Sequence, residues 1–307
     1  MHYNKARAVT GRCCYKGGLM GFSYLRYEVD RGILTLTLNN PEKMNAVSAV
    51  SCRELISAFD AADRDDDVHV VIVTGAGKAF CAGADLSGGP GDQSFYNRFT
   101  GTGDTFAGRD DGGVVNLRIY DMKKPVIAAI NGAAVGFGIT MTLPMDMRIA
   151  SNNAKMGFAF ARRGIMLDGC ATWFLPRLVG MGAASEWVYS GRTFTAQEAL
   201  EKGLVSELLD ADELMPRARK IAGEIARNSS SISVALCRQM MWKMMGAGHP
   251  MEAHILESRA LNWLYTVPDA REGVTSFLEK RSPEFPMKVS ADMPDFYPWW
   301  KEREFKY

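Results

Sequence analysis

An α/β fold, strand-rich at first and helical afterwards, is predicted by three observations. Residues 68–74 and 126–130 are continuous apolar runs, the first rich in β-branched residues, as expected of strands buried on both faces. From Thr172 onward the apolar residues recur at helical spacing. No Gly/Ser linker separates the two halves, so one core with a helical C-terminal region accounts for the chain. Its 307 residues, 47% hydrophobic and 23% charged, are enough for a large core.

Taken in order, residues 23–29 and 33–38 alternate apolar and polar around Asp30-Arg31-Gly32, which predicts a β-hairpin. Residues 48–62 have helical spacing at Cys52, Leu55, Ile56 and Phe59, with Ser48 or Ser51 as N-cap. The buried strand 68–74 is broken by Gly75 to Gly77. Residues 87–113 are rich in Gly and Asp and too long for an ordinary connection, which predicts a functional lid or a disordered loop. The second buried strand, 126–130, ends at Asn131-Gly132, a helix starts near Gly136, and 147–150 form a third strand. Helices are predicted over 208–227, 232–245, 251–266 and 269–280. Residues 282–307 are rich in Pro, aromatic and charged residues, with Trp299-Trp300 and no helical period. They form an arm that packs either on a neighbouring subunit or on its own chain. The resulting division is an extension (1–22), a core (23–225), a helical region (226–285) and a tail (286–307).

Composition excludes several classes. Lys and Arg total 36 against 35 Asp and Glu, a formal net charge of +1, which argues against nucleic acid as the main partner. No apolar run approaches a membrane span. Six scattered Cys with no C-x-x-C pair argue against a disulfide framework or zinc site and for a reducing compartment. A cytoplasmic protein is expected, with mitochondrion or peroxisome as the alternative for a eukaryotic source. Residues 1–22 carry Lys5, Arg7, Arg12 and Lys16 and no acid. They read either as a targeting peptide or as an extended start, with Met20 as the natural one.

Some motifs fail on inspection. Thr74-Gly75-Ala76-Gly77-Lys78-Ala79 lacks the spacing and the Ser/Thr of a phosphate loop. Gly101-Thr102-Gly103 and Gly132, Gly136 and Gly138 do not make a dinucleotide fingerprint. The four His offer no metal pair, and His69, in a strand, reads as structural. Met240, Met241, Met244 and Met245 around Trp242 read as core or interface. Two segments are more informative. Phe80-Cys81-Ala82-Gly83-Ala84-Asp85-Leu86 and Asn131-Gly132-Ala133-Ala134-Val135-Gly136-Phe137-Gly138 are each small-residue turns after a buried strand. Small residues let a ligand approach the backbone. Asp85 is a candidate cap for a following helix. Two such turns aimed at one point can make an oxyanion hole.

These segments, with two others, resemble the crotonase superfamily, the enoyl-CoA hydratase/isomerase family, over about residues 24–285. Leu38-Asn39-Asn40-Pro41-Glu42-Lys43-Met44-Asn45-Ala46 is similar to its first CoA-binding strand and loop. Residues 79–86 are similar to its most recognisable motif, and Lys124-Pro125-Val126-Ile127-Ala128-Ala129-Ile130-Asn131-Gly132 to its second oxyanion segment. Ser276-Phe277-Leu278-Glu279-Lys280-Arg281 resembles its C-terminal CoA-contacting helix. The resemblance implies a spiral of ββα units with a helical C-terminal trimerisation region, and a homotrimer or dimer of trimers. It implies an acyl-CoA thioester as ligand, with CoA as part of the substrate and no metal or redox cofactor. The backbone N–H groups of Ala84 and Phe137 would polarise the thioester carbonyl. Lys43, Met44, Ala46, Ala82, Ala84, Asp85, Leu86, Gly136, Phe277 and Lys280 would bind the ester and CoA. Lys43 and Lys280 are the phosphate partners in this reading, and Phe277 covers the adenine, across a subunit boundary in one version. Phe137 stands where the family usually has Gly, so its ring has to be placed near the acyl pocket.

The family's hydratases resemble one another in using two glutamates, and those positions fall here on Thr140 and Phe160. Neither moves a proton. Asp168, in Leu167-Asp168-Gly169-Cys170, instead resembles the single acid of the Δ3,Δ2-enoyl-CoA isomerase group. An allylic shift needs one base, whereas hydration also needs an activated water. Asp168 is therefore the candidate acid/base, with a helix N-cap as its alternative role. Asp104, Asp110 and Asp111 in the 87–113 segment are candidate second acids that would restore hydration. A non-catalytic acyl-CoA-binding protein is the other alternative.

Overall fold

Residues 13–15, 18–87 and 108–306 are described in a computed structural model of the chain. Residues 13–15 and 18–20 form a short antiparallel pair, β1 (Cys13–Tyr15) and β2 (Gly18–Met20). Residues 1–12, 16 and 17 of the 1–22 extension lie outside the described residues.

The hairpin forms as expected: β3 (Leu25–Asp30) pairs antiparallel with β4 (Ile33–Leu38) across the Arg31-Gly32 turn. Helix α1 (Ala49–Arg64) follows. Ser48 is its N-cap, and Ser51, at the third helical position, completes a capping box with it. Next come β5 (Val70–Gly75) and β6 (Ala79–Cys81). Residues 88–107 lie outside the described residues, so the lid expectation, Asp104 included, is not addressed there. Its last part is corrected: Asp111–Tyr120 is a helix, α2, capped by Asp110, whose side chain accepts the N–H of Gly112 and Gly113. The capping carboxylate and the buried pair Val115 and Ile119, one turn apart, outweigh the two glycines.

After α2 the chain repeats a pattern. Strand β7 (Val126–Ile130) leads directly to β8 (Ala133–Val135) and a single helical turn, α3 (Phe137–Thr140). Strand β9 (Met147–Ser151) leads to β10 (Lys155–Gly157). Helix α4 (Ala171–Ser190), β11 (Thr193–Thr195), α5 (Ala196–Glu201) and β12 (Glu207–Leu209) follow. The strands sort into two sheets. One has six strands in the order β12-β9-β7-β5-β4-β3, parallel except for the β3–β4 hairpin; the other has four in the order β11-β10-β8-β6. Each pass of the chain thus adds one strand to each sheet, which is the expected spiral.

Alternation explains the apolar runs. Val71 and Val73 point into the main core with α1, whereas Val70 and Ile72 pack with Leu214, Ala218 and Ala222 of α6 (Leu214–Asn228) on the other face. The helix expected over 208–227 therefore starts later. Leu208 and Leu209 pair with Ala150 and Ser151 at the edge of the larger sheet, and the helical stripe begins only at Leu214. His69 is structural, its Nδ1 2.7 Å from the Ser231 hydroxyl.

Helices α7 (Ser231–Met244), α8 (Pro250–Leu264) and α9 (Pro268–Glu279) complete the chain. Arg238 of α7 is buried. Its guanidinium donates to the carbonyls of Ile119, Tyr120 and Met122 and pairs with Asp146 at 2.8 Å. Trp242 donates to the other oxygen of Asp146 at 2.8 Å. The C-terminal tail packs on its own chain: Val289 and Phe296 are buried against Ile232, Leu236 and Ala260, with Tyr297 and Trp299 alongside. Lys243 of α7 lies over the Trp300 ring.

Candidate active site

Two of the strand-to-turn segments meet. After β6 the chain makes a tight turn at Gly83, whose φ is +98°; a Cβ there would lie 2.7 Å from the Val135 carbonyl oxygen. Only glycine allows this approach. The same point lies 3.6 Å from the Phe137 nitrogen, so the 82–84 and 135–137 turns are in contact. Residues 44–47 run alongside. Ala82 N–H donates to Met44, Val47 N–H to Gly83, and Asp85 N–H to Val47. Asn45, 2% exposed, pins that loop from below: its amide donates to the carbonyls of Ala76 and Ala79, and its oxygen accepts the Asn40 N–H. Within this framework the N–H groups of Ala84 and Phe137 have no acceptor among the described residues. Unpaired donors at a pocket wall are available to a ligand's developing oxyanion.

The pocket in front of them is about 950 Å³ and open to solvent. Of the expected residues it is lined by Ala82, Ala84, Leu86, Gly136, Phe137 and Asp168. Val47, Ser48, Cys52, Ile165 and Arg163 line it as well, and nothing in their local sequence pointed to it. The Phe137 ring is buried against Gly112 at the start of α2, so it forms part of the acyl-facing wall. Phe160 lines the same pocket, while Thr140 is fully buried behind it with its hydroxyl on the Phe137 carbonyl. Neither position offers a proton-transfer group.

Asp168 is placed differently from a helix cap. Helix α4 begins at Ala171, and its N-cap position is Cys170, in left-handed backbone with no side-chain cap bond. The Asp168 carboxyl faces the pocket, and its Oδ1 is buried with no hydrogen-bond partner among the described residues. Burial, with a smaller contribution from the nearby Asp110 charge, pushes its carboxyl up to about 7. Asp110 and Asp111 also line the pocket, from the N-terminus of α2. Both Asp110 oxygens are engaged: Oδ1 accepts Gly112 N–H at 3.0 Å, and Oδ2 accepts those of Gly113 and Gly169 at 2.8 and 2.9 Å.

Lys43 is exposed and its ammonium pairs with Asp85 at 2.7 Å and reaches Ser87. The hydrogen bond to Asp85 raises the Lys43 pKa, and the same bond, with Ser87, lowers Asp85 to about 2. Asp85 accepts the Ser87 N–H, and the helix it is expected to cap falls outside the described residues. Met44 is exposed and Ala46 half-buried on the same loop, beside the pocket rather than in its wall. Phe277 and Lys280, at the end of α9, do not reach the pocket of their own chain; Phe277 is 81% exposed.

Known proteins place this arrangement. Residues 28–288 match the family model for enoyl-CoA hydratase/isomerase. The chain is 42% identical over 255 residues to the enoyl-CoA hydratase ACTT3 of Alternaria alternata, covering 83% of each. It is 31% identical to the 1,2-epoxyphenylacetyl-CoA isomerase of Escherichia coli, covering 85% of this chain and 98% of that one. Its fold resembles the crystal structure of an enoyl-CoA hydratase from Bacillus anthracis, with a TM-score of 0.78, 31% identity, and coverage of 86% and 99%. Paired strand-to-turn segments, a spiral of two sheets and this breadth of similarity have one reading: the chain is an enzyme of the enoyl-CoA hydratase/isomerase family, the crotonase superfamily.

Proposed function

We propose that this enzyme moves the double bond of an enoyl-CoA thioester between the 3,4 and 2,3 positions, with Asp168 as its base. The observation that carries this reading is the Asp168 carboxyl in the pocket, pushed up to about 7, with one oxygen free of partners among the described residues. Such a group removes a proton near neutral pH and is protonated enough to return it. Asp168 takes the C2 proton of the 3-enoyl ester. The electron pair spreads onto the thioester oxygen, and the same proton returns at C4. The Ala84 and Phe137 N–H groups meet the oxyanion, each donor worth about 3 kcal/mol. Because both donors are backbone, Phe in place of Gly at 137 leaves them intact.

The ester's pantetheine arm would follow the 43–46 loop and the 82–86 turn. Phe277 and Lys280 reach the CoA only from a neighbouring copy, which supports the homotrimer or dimer of trimers that the family resemblance implies. Hydration is the second reading. It is favoured by the position of Asp110 on the same wall and by the names of most relatives. Against it, both Asp110 oxygens already accept backbone N–H groups, which leaves little capacity to orient a water.

The test offers purified enzyme a 3-enoyl-CoA and a 2-enoyl-CoA separately, following conjugated-thioester absorbance and product mass. Conjugation of the 3-enoyl ester with no change in mass is the expected result. Gain of one water by the 2-enoyl ester, with the 3-enoyl ester untouched, would replace isomerisation with hydration.

A further inference from the structure

Asp168 is followed by Gly169, a residue held from both sides by one helix. Asp110, before the first residue of α2, accepts the Gly169 N–H at 2.9 Å. Asn116, two turns further along α2, donates its amide to the Gly169 carbonyl at 2.6 Å and to the Thr140 carbonyl at 3.0 Å. Gly169 has φ +68°, and a Cβ there would lie 2.9 Å from the Asn116 amide nitrogen, so the fit is close. Asn116 is fully buried, and its own Oδ1 has no partner in the described structure. Burying an amide oxygen unpaired costs stability. The residue is therefore better explained by what its nitrogen holds than by a contribution to the core.

We propose that Asp110 and Asn116 are positioning residues for Asp168, clamping Gly169 by its N–H and its carbonyl so that the Asp168 carboxyl is aimed into the pocket. This rests on Asp168 as the base in the reading above. The clamp also sets the electrostatics. Among the described residues, the charged and titratable groups around the Asp168 turn are Asp110 and Asp111 at the start of α2, Arg109 just before them, Arg163 from the 161–163 turn and Cys170 on its own turn. Burial sets most of the upward shift at Asp168, and the Asp110 charge adds to it. Asp110 thus fixes the direction of the base through one hydrogen bond and biases its protonation through its charge. Neither action requires Asp110 to touch the substrate.

The experiment uses the full chain with ¹³C-carboxyl-labelled Asp. The Asp168 resonance is assigned by its loss in Asp168→Asn, and its titration is followed in wild type, Asp110→Asn and Asp110→Ser. Asn and Ser both keep a favoured N-cap on α2, so the fold is retained. The Asp168 midpoint is expected to move to lower pH in both variants, because a like charge has gone. In the same variants kcat on the 3-enoyl ester falls about 10-fold or more, from misplacement of the base, while KM changes by less than about two-fold. A wild-type midpoint and kcat, with only the melting temperature lowered, would reduce Asp110 to a helix cap and overturn the proposal. If wild type leaves the 3-enoyl ester untouched, the isomerase reading falls, while the NMR midpoint still decides the clamp.

Discussion

At the scale of single residues, Asp168 makes the clearest commitments. Asp168→Asn is expected to keep CoA-ester binding, measured by calorimetry, and to lose about 10²-fold or more of turnover. Unchanged turnover would remove Asp168 from the mechanism. The rate on a 3-enoyl ester depends on the ionised carboxylate, so kcat/KM should rise with pH to a plateau above the midpoint near 7. The same carboxyl has a consequence for stability. Its folded pKa lies above the ordinary carboxylate value of 3.8, so between those values the folded state holds more protons than the unfolded one. Its burial therefore destabilises the fold increasingly as pH rises through this window, fully above about 7. Asp168→Asn should accordingly stabilise the protein at pH 8, by about 2 kcal/mol after discounting for solvent access, and have little effect at pH 3. Denaturant titration at both pH values checks this; equal effects at both would mean that Asp168 is not held in a desolvating site.

At the scale of elements, the 40–47 loop and the turns it supports stand or fall together. Asn45 satisfies two carbonyls from below while three backbone bonds tie the loop to residues 82–85. Asn45→Ala is expected to cost about 2 kcal/mol by leaving buried carbonyls unpaired. It should also raise KM for the ester by releasing the 82–84 turn, read by thermal melts and steady-state kinetics together. A stability loss with no change in KM would separate the loop from the ligand. Elements also show where the sequence was readable. The runs at 70–75 and 126–130 announce themselves because both faces are covered, and the small-residue turns at 82–84 and 132–136 because close approach leaves little choice of side chain. Asp168 before a helix fits a base and a cap equally well in one dimension. Only the left-handed Gly169-Cys170 step, which delays the helix to Ala171, separates the two. Helix α2 was hidden because Gly112-Gly113 mimics a loop. The clamp was hidden because Asp110 and Gly169 are 59 residues apart, and no local pattern encodes such a contact.

At the scale of the whole molecule, the apolar residues left outside need a cover. Tyr265 at the end of α8 is 77% exposed, and Leu278, next to Phe277 at the end of α9, is 72% exposed. Such a surface is costly in water and fits a second copy of the chain. Sedimentation velocity should find a trimer or a dimer of trimers, and Phe277→Glu should shift it toward monomer with a loss of CoA affinity. A monomeric wild type that binds CoA esters normally would place Phe277 and Lys280 outside the site. Described helices offer no further complication here: none is long and apolar enough to cross a membrane.

Arg238 carries a last consequence, one of timing during synthesis. Three carbonyls in the stretch 119–122 and the Asp146 carboxylate all wait for its guanidinium. The Val126 and Met122 N–H groups already engage two of these acceptors, but the group that gathers all of them arrives only once residue 238 has cleared the ribosome. A stalled or truncated chain ending before α7 lacks that group, and is expected to be digested faster than the full chain in limited proteolysis.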